Sequence, residues 1–142
     1  MIEVYTDGSG TTANTPCGWG FVIVKDGEKI HEQSGSLPKG TNNVAELTAA
    51  VKGLAYVVLN HKDEDVVLVS DSQLVLGYAS GNYRLKAMHL TELYCKLRRL
   101  YNHLGADGRW VKGHSGDEHN ERCDELAKTA RLEELNGEEK KT

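Results

Sequence analysis

The sequence predicts an α/β fold with a mixed five-stranded sheet, an antiparallel meander plus parallel strands, flanked by helices. Two observations lead to this prediction. Three strand-like segments follow one another near the N-terminus, and helical and strand-like patterns then alternate through the rest of the chain. The length of 142 residues suits a single domain with a substantial core. We assign residues 1–135 to that domain and residues 136–142 to a polar C-terminal tail.

The predicted meander occupies the first quarter of the chain. Residues 2–6 are rich in β-branched and aromatic side chains, which favours a strand, and residues 18–25 repeat that composition. Asp26-Gly27 is a strong hairpin signal, and residues 28–37 are expected to return as the third strand.

The remaining segments predict alternating helices and strands. Residues 44–58 have helical apolar spacing, residues 65–70 suit a strand buried on both faces, and residues 72–78 suit a short helix. Leucines from Leu90 to Leu104 recur at intervals of three and four and predict another helix, followed by a fifth strand at residues 108–112. Asn120 is the expected N-cap of a final helix. The predicted order is β-β-β-α-β-α-α-β-α.

The composition is that of an ordinary globular protein. Apolar residues make up 39% and charged residues 27% of the chain, the net charge is −4, and no segment has the pattern of a membrane span or signal peptide. The three cysteines are odd in number and show neither metal-ligand nor disulfide spacing. We therefore expect a monomeric cytoplasmic protein that does not associate with membranes.

Four acids occupy positions that such a sheet would bring together. Asp7 and Asp71 end or follow predicted strands, whereas Glu46 and Asp124 lie near the starts of predicted helices. Clustered carboxylates repel one another and need cations, and sites made only of oxygen ligands suit Mg²⁺ or Mn²⁺. Four acids holding two such ions are suited to in-line cleavage of a phosphodiester.

Each acid also has a purely structural interpretation. Asp7 precedes Gly8 and could belong to a turn, Glu46 follows Asn43 in the manner of a capping box, and Asp71 could be an N-cap. Asp124 could be a surface acid near a positive helix terminus. The shared placement of all four at converging ends favours the site.

Five segments together resemble type 1 ribonuclease H. They are Tyr-Thr-Asp-Gly-Ser at 5–9, Thr-Asn-Asn-Val-Ala-Glu-Leu at 41–47, Ser-Asp-Ser-Gln at 70–73, Trp-Val-Lys-Gly-His-Ser-Gly at 110–116, and Asn-Glu-Arg-Cys-Asp-Glu-Leu-Ala at 120–127. The resemblance spans residues 2 to about 130. It implies a ribonuclease H-like fold and metal-dependent cleavage of the RNA strand of RNA–DNA hybrids, with 5′-phosphate and 3′-hydroxyl products.

The resemblance also implies catalytic roles. Asp7, Glu46, Asp71 and Asp124 match the acids that bind two Mg²⁺ ions, with Mn²⁺ as a possible substitute. Asp7 would bridge the ions, Asp124 would complete the one that activates water, and Glu46 with Asp71 would complete the other. His114 matches a residue that transfers protons or assists product departure, roles that an imidazole titrating near neutrality can fill.

Substrate contacts are expected from a larger set. The residues matched to nucleotide or phosphate contacts are Gly8, Ser9, Asn14, Thr41, Asn42, Asn43 and Gln73. Many bacterial members of that family carry a long basic insertion after the third acid, whereas the corresponding segment of this chain, residues 77–87, is short. Lys96, Arg98 and Arg99 are candidates to compensate for it by meeting phosphates, although a solvated helix face is the alternative.

Two other functional classes remain open. A related nuclease on the same fold, such as a transposase, integrase or Holliday-junction resolvase core, would cut duplex DNA. A catalytically silent nucleic-acid-binding module would need none of the four acids. A metal-dependent cleavage assay separates these alternatives from ribonuclease H.

Overall fold

The computed structural model describes residues 1–141, and side chains through residue 138. The elements are β1 (Ile2–Ser9), β2 (Cys17–Lys25), β3 (Glu28–Leu37), α1 (Asn42–Asn60), β4 (Val66–Ser70), α2 (Gln73–Ser80), a 3₁₀ turn (Met88–Leu90), α3 (Thr91–Leu104), β5 (Asp107–Trp110) and α4 (Glu118–Lys141). Residues 136–141 of the expected tail continue α4, and Thr142 lies outside the described residues. No helix within residues 1–141 is long and apolar enough to cross a membrane.

The five strands form one mixed sheet in the order β3-β2-β1-β4-β5, which confirms the predicted fold class. The β1–β2 and β2–β3 pairs are antiparallel, whereas β1–β4 and β4–β5 are parallel. Asp26 and Gly27 form the predicted two-residue hairpin, with positive φ angles of 50° and 87° that suit a type I′ turn. The central position of β1 matters because it brings the end of this strand beside the end of parallel β4.

Helices cover both faces of the sheet, so there is a hydrophobic core on each side. Successive side chains of β1 point alternately into the two cores. Val4 faces the larger core, which includes Leu47 of α1 and Leu97 of α3. Tyr5 faces the smaller core, where Cys123 of α4 is buried. The leucine stripe of α3 packs inward as its spacing predicts. Each fully buried leucine contributes about 1.5–3 kcal/mol relative to exposure.

Close backbone approach places α4 on the sheet. A Cβ atom on Gly18 of β2 would lie 2.1 Å from the carbonyl oxygen of Ala127, so only glycine allows the helix to lie this near. Arg122 of α4 also donates to both carboxylate oxygens of Glu32 on β3, with N–O distances of 3.1 and 2.6 Å. The helix that carries Asp124 is thus fixed by packing and by a bidentate ion pair.

The helix caps differ from the sequence prediction. Asn120 is not the N-cap of α4: its backbone N–H donates to the Asp117 carboxylate at 3.0 Å, so Asp117 occupies that position. Ser72 caps α2 and Thr41 caps α1, each through its hydroxyl oxygen. The interpretations of Asp71 as an N-cap and of Asn43 with Glu46 as a capping box are therefore wrong.

Candidate active site

Three of the four acids converge at one end of the sheet. Asp7 lies on β1 and Asp71 directly follows β4, and these strands are parallel neighbours with Thr6 opposite Ser70. Glu46 approaches from the first turns of α1. Carboxylate oxygens of the three acids all lie within 4.8 Å of one another.

Asp124 enters the same cavity from α4 but stands apart from that group. The cavity has a volume of about 220 Å³ and is lined by Asp7, Gly8, Ser9, Asn42, Glu46, Asp71, His114, Asp124 and Lys128. Within the described residues, Asp124 is not among the acids whose oxygens are mutually within 4.8 Å. Its Oδ2 instead lies 3.0 Å from Nζ of Lys128, one helical turn further along.

Gly8 makes the approach of α1 to β1 possible. A Cβ atom at this position would lie 2.3 Å from the backbone nitrogen of Glu46 and 2.4 Å from the carbonyl carbon of Ala45. Any side chain would therefore push the helix away from the strand. The close contact sets Glu46 beside Asp7.

The electrostatics of the cluster indicate uncompensated negative charge. Burial, followed by the neighbouring Asp71 carboxylate, raises the pKa of Asp7 from 3.8 to about 8, and Asp124 and Glu46 add to the rise. A hydrogen bond from the backbone N–H of Gly8, at 2.8 Å, opposes it. A bound cation would compensate the negative charge of the cluster and restore the ionised form of Asp7.

Neutral hydrogen-bond donors orient the other two acids. Burial raises the pKa of Glu46, and hydrogen bonds from Ser72 and Asn42 lower it. Nδ2 of Asn42 donates to Oε1 of Glu46 at 2.8 Å. Burial also raises the pKa of Asp71, and a hydrogen bond from the buried Asn120 side chain opposes the rise.

Sequence reasoning missed the roles of three residues in this site. Asn120 was expected to cap a helix, whereas Ser72 and Lys128 were given no role. Ser72 performs two tasks, because its hydroxyl caps α2 and also lowers the pKa of Glu46. Lys128 follows Asp124 by four residues on a predicted helix, and this spacing indicates that the two side chains are neighbours.

His114 reaches the cavity from the loop between β5 and α4. The residue is exposed and has a positive φ of 57°, and the hydroxyl of Ser115 donates to the Lys112 carbonyl at 2.6 Å across the loop. His114 lines the acid cavity and is among the groups that oppose the burial-driven rise in the pKa of Asp71. An imidazole here can exchange protons with both solvent and cavity.

Some expected substrate contacts surround the acids. Gly8, Ser9 and Asn42 line the cavity itself. Asn43 is exposed beside them at the start of α1, and Thr41 is engaged as the helix cap. The exposed Asn14 lies in the loop after β1, whose Thr11 forms a β-bridge with Thr41.

Gln73 lies in an adjoining groove rather than in the acid cavity. This groove of about 460 Å³ includes Tyr83 and Trp110 in its lining. The indole N–H of Trp110 donates to the carbonyl oxygen of Asp71 at 3.2 Å, which joins the groove to the acid cluster.

The basic residues of α3 do not line the acid cavity. Nζ of Lys96 pairs with Glu92 at 3.0 Å, and Arg99 is exposed. Nη1 of Arg98 donates to the carbonyl oxygen of Ala79 at 2.8 Å. Arg98 therefore has a structural bond at the end of α2 that the sequence did not indicate.

Known proteins are similar to this chain in sequence. The RNase H family model matches residues 1–131. A ribonuclease H of Maricaulis maris is 33% identical over 138 residues, covering 89% of this chain and 91% of that protein. One from Halorhodospira halophila is 35% identical over 138 residues, covering 89% and 90% respectively.

Solved structures give the same result. RNase H1 from Halobacterium salinarum NRC-1 matches with a TM-score of 0.82 and 28% identity, covering 93% of this chain and 98% of that one. LC11-RNase H1, determined in complex with an RNA/DNA hybrid, matches with a TM-score of 0.82 and 29% identity, covering 95% and 99%. Sequence and fold thus agree that this chain is an enzyme, a nuclease that belongs to the ribonuclease H family.

Proposed function

We propose that this protein is a metal-dependent endonuclease that hydrolyses the RNA strand of RNA–DNA hybrids, leaving 5′-phosphate and 3′-hydroxyl ends. The observation that carries the proposal is the convergence of Asp7, Glu46 and Asp71 in a cavity that Asp124 and His114 also line. The hybrid bound to the related LC11-RNase H1 supports the choice of substrate.

The donor set fits hard divalent cations. All four acids offer only oxygen, which suits Mg²⁺, with Mn²⁺ as a substitute, and the raised pKa of Asp7 reflects the missing counter-charge. Asp7 would be shared by two ions, Glu46 and Asp71 would hold one, and Asp124 would hold the other. When bound, such ions activate water and stabilise charge on the entering and departing oxygens.

The protein's own groups supply orientation and proton transfer. Asn42 holds Glu46 in a fixed direction through its hydrogen bond, so little reorganisation of that carboxylate is needed when substrate arrives. Ser72 and Asn120 favour the ionised forms of Glu46 and Asp71, because each lowers the pKa of its neighbouring acid. His114 donates a proton to the departing 3′ oxygen or helps the product leave. Its exposed loop lets it exchange that proton with solvent.

Substrate selection requires one strand with 2′-hydroxyls and one without. Gly8, Ser9, Asn42 and Asn43 contact the RNA strand, since they lie in or beside the acid cavity, and Gln73 extends that contact into the adjoining groove. Asn14, in the loop after β1, and Thr41, which the same loop meets through the Thr11–Thr41 bridge, hold a phosphate of the DNA strand. Lys96 and Arg99 add electrostatic attraction at a distance.

A cleavage assay on matched duplexes tests the proposal. Labelled RNA–DNA, RNA–RNA and DNA–DNA duplexes of one sequence are incubated with Mg²⁺, with Mn²⁺, or with a chelator. We expect cleavage of the RNA strand of the hybrid alone, abolished by the chelator, with products that a 5′-phosphate-dependent exonuclease degrades. Cleavage of the DNA duplex would favour the transposase or resolvase class.

Asp71→Asn is the matched control for contaminating nuclease, because it removes one charge with little change in volume. Loss of activity in this variant assigns the cleavage to the acid cluster. Binding of hybrid without cleavage by the wild-type protein under every metal condition would support the silent module and contradict the proposal.

A further inference from the structure

Lys128 is a cation placed inside the acid cavity by the chain itself. It extends from α4, one turn after Asp124, and lines the cavity together with all four acids. Its Nζ lies 3.0 Å from Oδ2 of Asp124, and the side chain remains 53% exposed. Nothing in the proposed reaction uses it.

The pair distinguishes Asp124 from the other three acids. Asp7, Glu46 and Asp71 are close enough to share one cation, whereas Asp124 already has a positive partner. The next basic residue on the same helix has a different partner, since Nε of Arg131 donates to Oγ of Ser9, another residue of the cavity lining, at 3.1 Å. Lys128 is therefore positioned to act on Asp124 specifically.

We propose that Lys128 is a positioning residue that acts as a built-in counter-ion for Asp124 and is released from it by a phosphate of the bound nucleic acid. In the free protein the ammonium group and a divalent cation compete for the Asp124 carboxylate. A cation therefore binds first at Asp7, Glu46 and Asp71, and a second binds at Asp124 only after Lys128 has moved. The proposal rests on the proposed two-ion function.

The chemistry of the pair allows such an exchange. An exposed lysine–carboxylate pair is weak and the lysine stem is flexible, so a new anion nearby can displace the contact. A scissile-strand phosphate provides that anion at the cavity and carries its own negative charge toward the cation site. Substrate binding would then move the Lys128 ammonium group away from Asp124 and bring phosphate oxygens to the cation site in the same step. Binding of the second metal ion would therefore depend on bound substrate.

Counting bound ions tests the proposal without any reaction. Wild-type protein, Lys128→Met and Lys128→Arg are titrated with Mn²⁺ in the absence of nucleic acid, and free Mn²⁺ is measured by electron paramagnetic resonance. We expect one tightly held ion in wild type and Lys128→Arg. Lys128→Met should hold a second ion at least about tenfold more tightly than wild type does, because a like charge a few ångströms away has been removed.

Arg131→Met is the matched control for a general electrostatic effect. It removes the same unit charge from the same helix without touching the Asp124 pair. Its second-ion affinity should change by less than about threefold, because Arg131 is bonded to Ser9 rather than to Asp124 and solvent screens the remaining field. An equal gain in Arg131→Met and Lys128→Met would show that the net field, not the ion pair, is responsible, and would overturn the proposal.

A second measurement uses the hybrid. In Lys128→Met the Mg²⁺ concentration for half-maximal activity should fall while KM for the hybrid rises, because the variant loses a competitor for metal and a partner for phosphate. A merely structural role would not move these quantities in opposite directions. Thermal melts of Lys128→Met and Lys128→Gln verify folding, and the exposure of Lys128 makes both substitutions tolerable.

The outcomes separate this inference from the proposed function. Two tightly bound ions in nucleic-acid-free wild type, or equal second-ion affinity in wild type and Lys128→Met, would overturn the role of Lys128 even if the protein cleaves hybrids. Failure of wild type to cleave hybrid with any divalent metal would overturn the proposed function whatever the ion count.

Discussion

The side-chain amide of Asn42 links Glu46 to the loop that follows β1. Its Nδ2 donates to the Glu46 carboxylate at 2.8 Å, and its Oδ1 accepts from the backbone N–H of Gly10 at 3.3 Å. Both ends of the amide are therefore used, which fixes its orientation and holds the carboxylate toward Asp7. Asn42 thus has a positioning role in addition to the substrate contact expected from the sequence.

We predict that Asn42→Ala lowers kcat/KM for the hybrid by about 10- to 100-fold, because a hydrogen bond to a charged group is worth about 1.5–3 kcal/mol. Part of the loss should appear in kcat, measured by steady-state kinetics at saturating Mg²⁺. Asn43→Ala is the control, since Asn43 is exposed beside the site and should affect KM alone. Equal changes in kcat for the two variants would contradict the positioning role of Asn42.

We predict that Asp71→Asn reduces the rate of cleavage by more than about 100-fold, because loss of one metal ligand removes several kcal/mol of transition-state stabilisation. The amide should leave hybrid binding nearly intact. It also relieves repulsion by Asp7, so the metal-free variant should melt at the same temperature as wild type or higher. Retention of a tenth of the wild-type rate would exclude Asp71 as a metal ligand.

The sequence was sufficient to locate the acids because their positions follow from element ends. Asp7 and Asp71 follow strand-like runs, and the ends of parallel strands converge whatever the details of packing. The groups that orient those acids were not predictable in the same way. Asn120 lies within the first turn of α4 because Asp117, rather than Asn120, caps the helix, and its buried side chain there lowers the pKa of Asp71. Helix starts are uncertain by a few residues in a sequence prediction, so the direction of a side chain at the start cannot be derived from spacing alone.

The bond of Arg98 to another helix was also not predictable from the sequence. Residue spacing placed it correctly off the leucine stripe of α3, but spacing within one helix carries no information about the carbonyl groups of another. Its bond to Ala79 depends on how α2 and α3 pack together. Long-range contacts of single side chains therefore require the tertiary structure, whereas the order of the elements along the chain and the positions of the acids at their ends do not.

We predict that the metal-free protein loses stability as pH rises from about 4 to about 8. The pKa of Asp7 is about 8 when folded and 3.8 in its unperturbed form, so between these values the folded state binds more protons than the unfolded state. The free energy of unfolding therefore decreases with rising pH. Urea denaturation in chelator at about pH 5, 6.5 and 8 measures the slope.

Asp7→Asn should flatten that slope, and saturating Mg²⁺ should flatten it in wild type. Glu32→Gln is the control, because its ion pair with Arg122 lowers the pKa of Glu32 to about 2. That carboxylate is ionised throughout the measured range, so the variant should lose stability by a similar amount at each pH. An unchanged slope in Asp7→Asn would show that Asp7 is not the group responsible.

We predict that His114→Ala slows turnover by less than the loss of any of the four acids. A general acid or proton shuttle typically contributes about 10²–10⁴-fold, and the metal ligands supply the larger share of stabilisation. His103→Ala, an exposed substitution on α3, is the control and should leave turnover unchanged. Activity as low as that of Asp71→Asn would make His114 essential.

We predict that Arg98 contributes to the stability of the fold, whereas Lys96 and Arg99 contribute only to hybrid binding. Arg98→Ala should lower the melting temperature, because it leaves the carbonyl oxygen of Ala79 without its donor at the end of α2. Lys96 and Arg99 are exposed, and Lys96 has only a weak pair with Glu92. Replacing both by Ala should leave the melting temperature unchanged within about 2 °C, the shift expected for surface substitutions of this size.

The Lys96→Ala/Arg99→Ala variant should instead raise KM for the hybrid more than it lowers kcat, because distant phosphate contacts act equally on the ground and transition states. The slope of log KM against log salt should fall by a little under one unit for each phosphate contact that is lost. With a net charge of −4, the protein depends on such local basic surface to attract a polyanion. Measuring KM across a range of salt concentrations for wild type, the double variant and Arg98→Ala resolves the two roles. An unchanged KM and salt slope in the double variant would assign Lys96 and Arg99 to an ordinary solvated helix face and leave hybrid binding to the residues around the acid cavity.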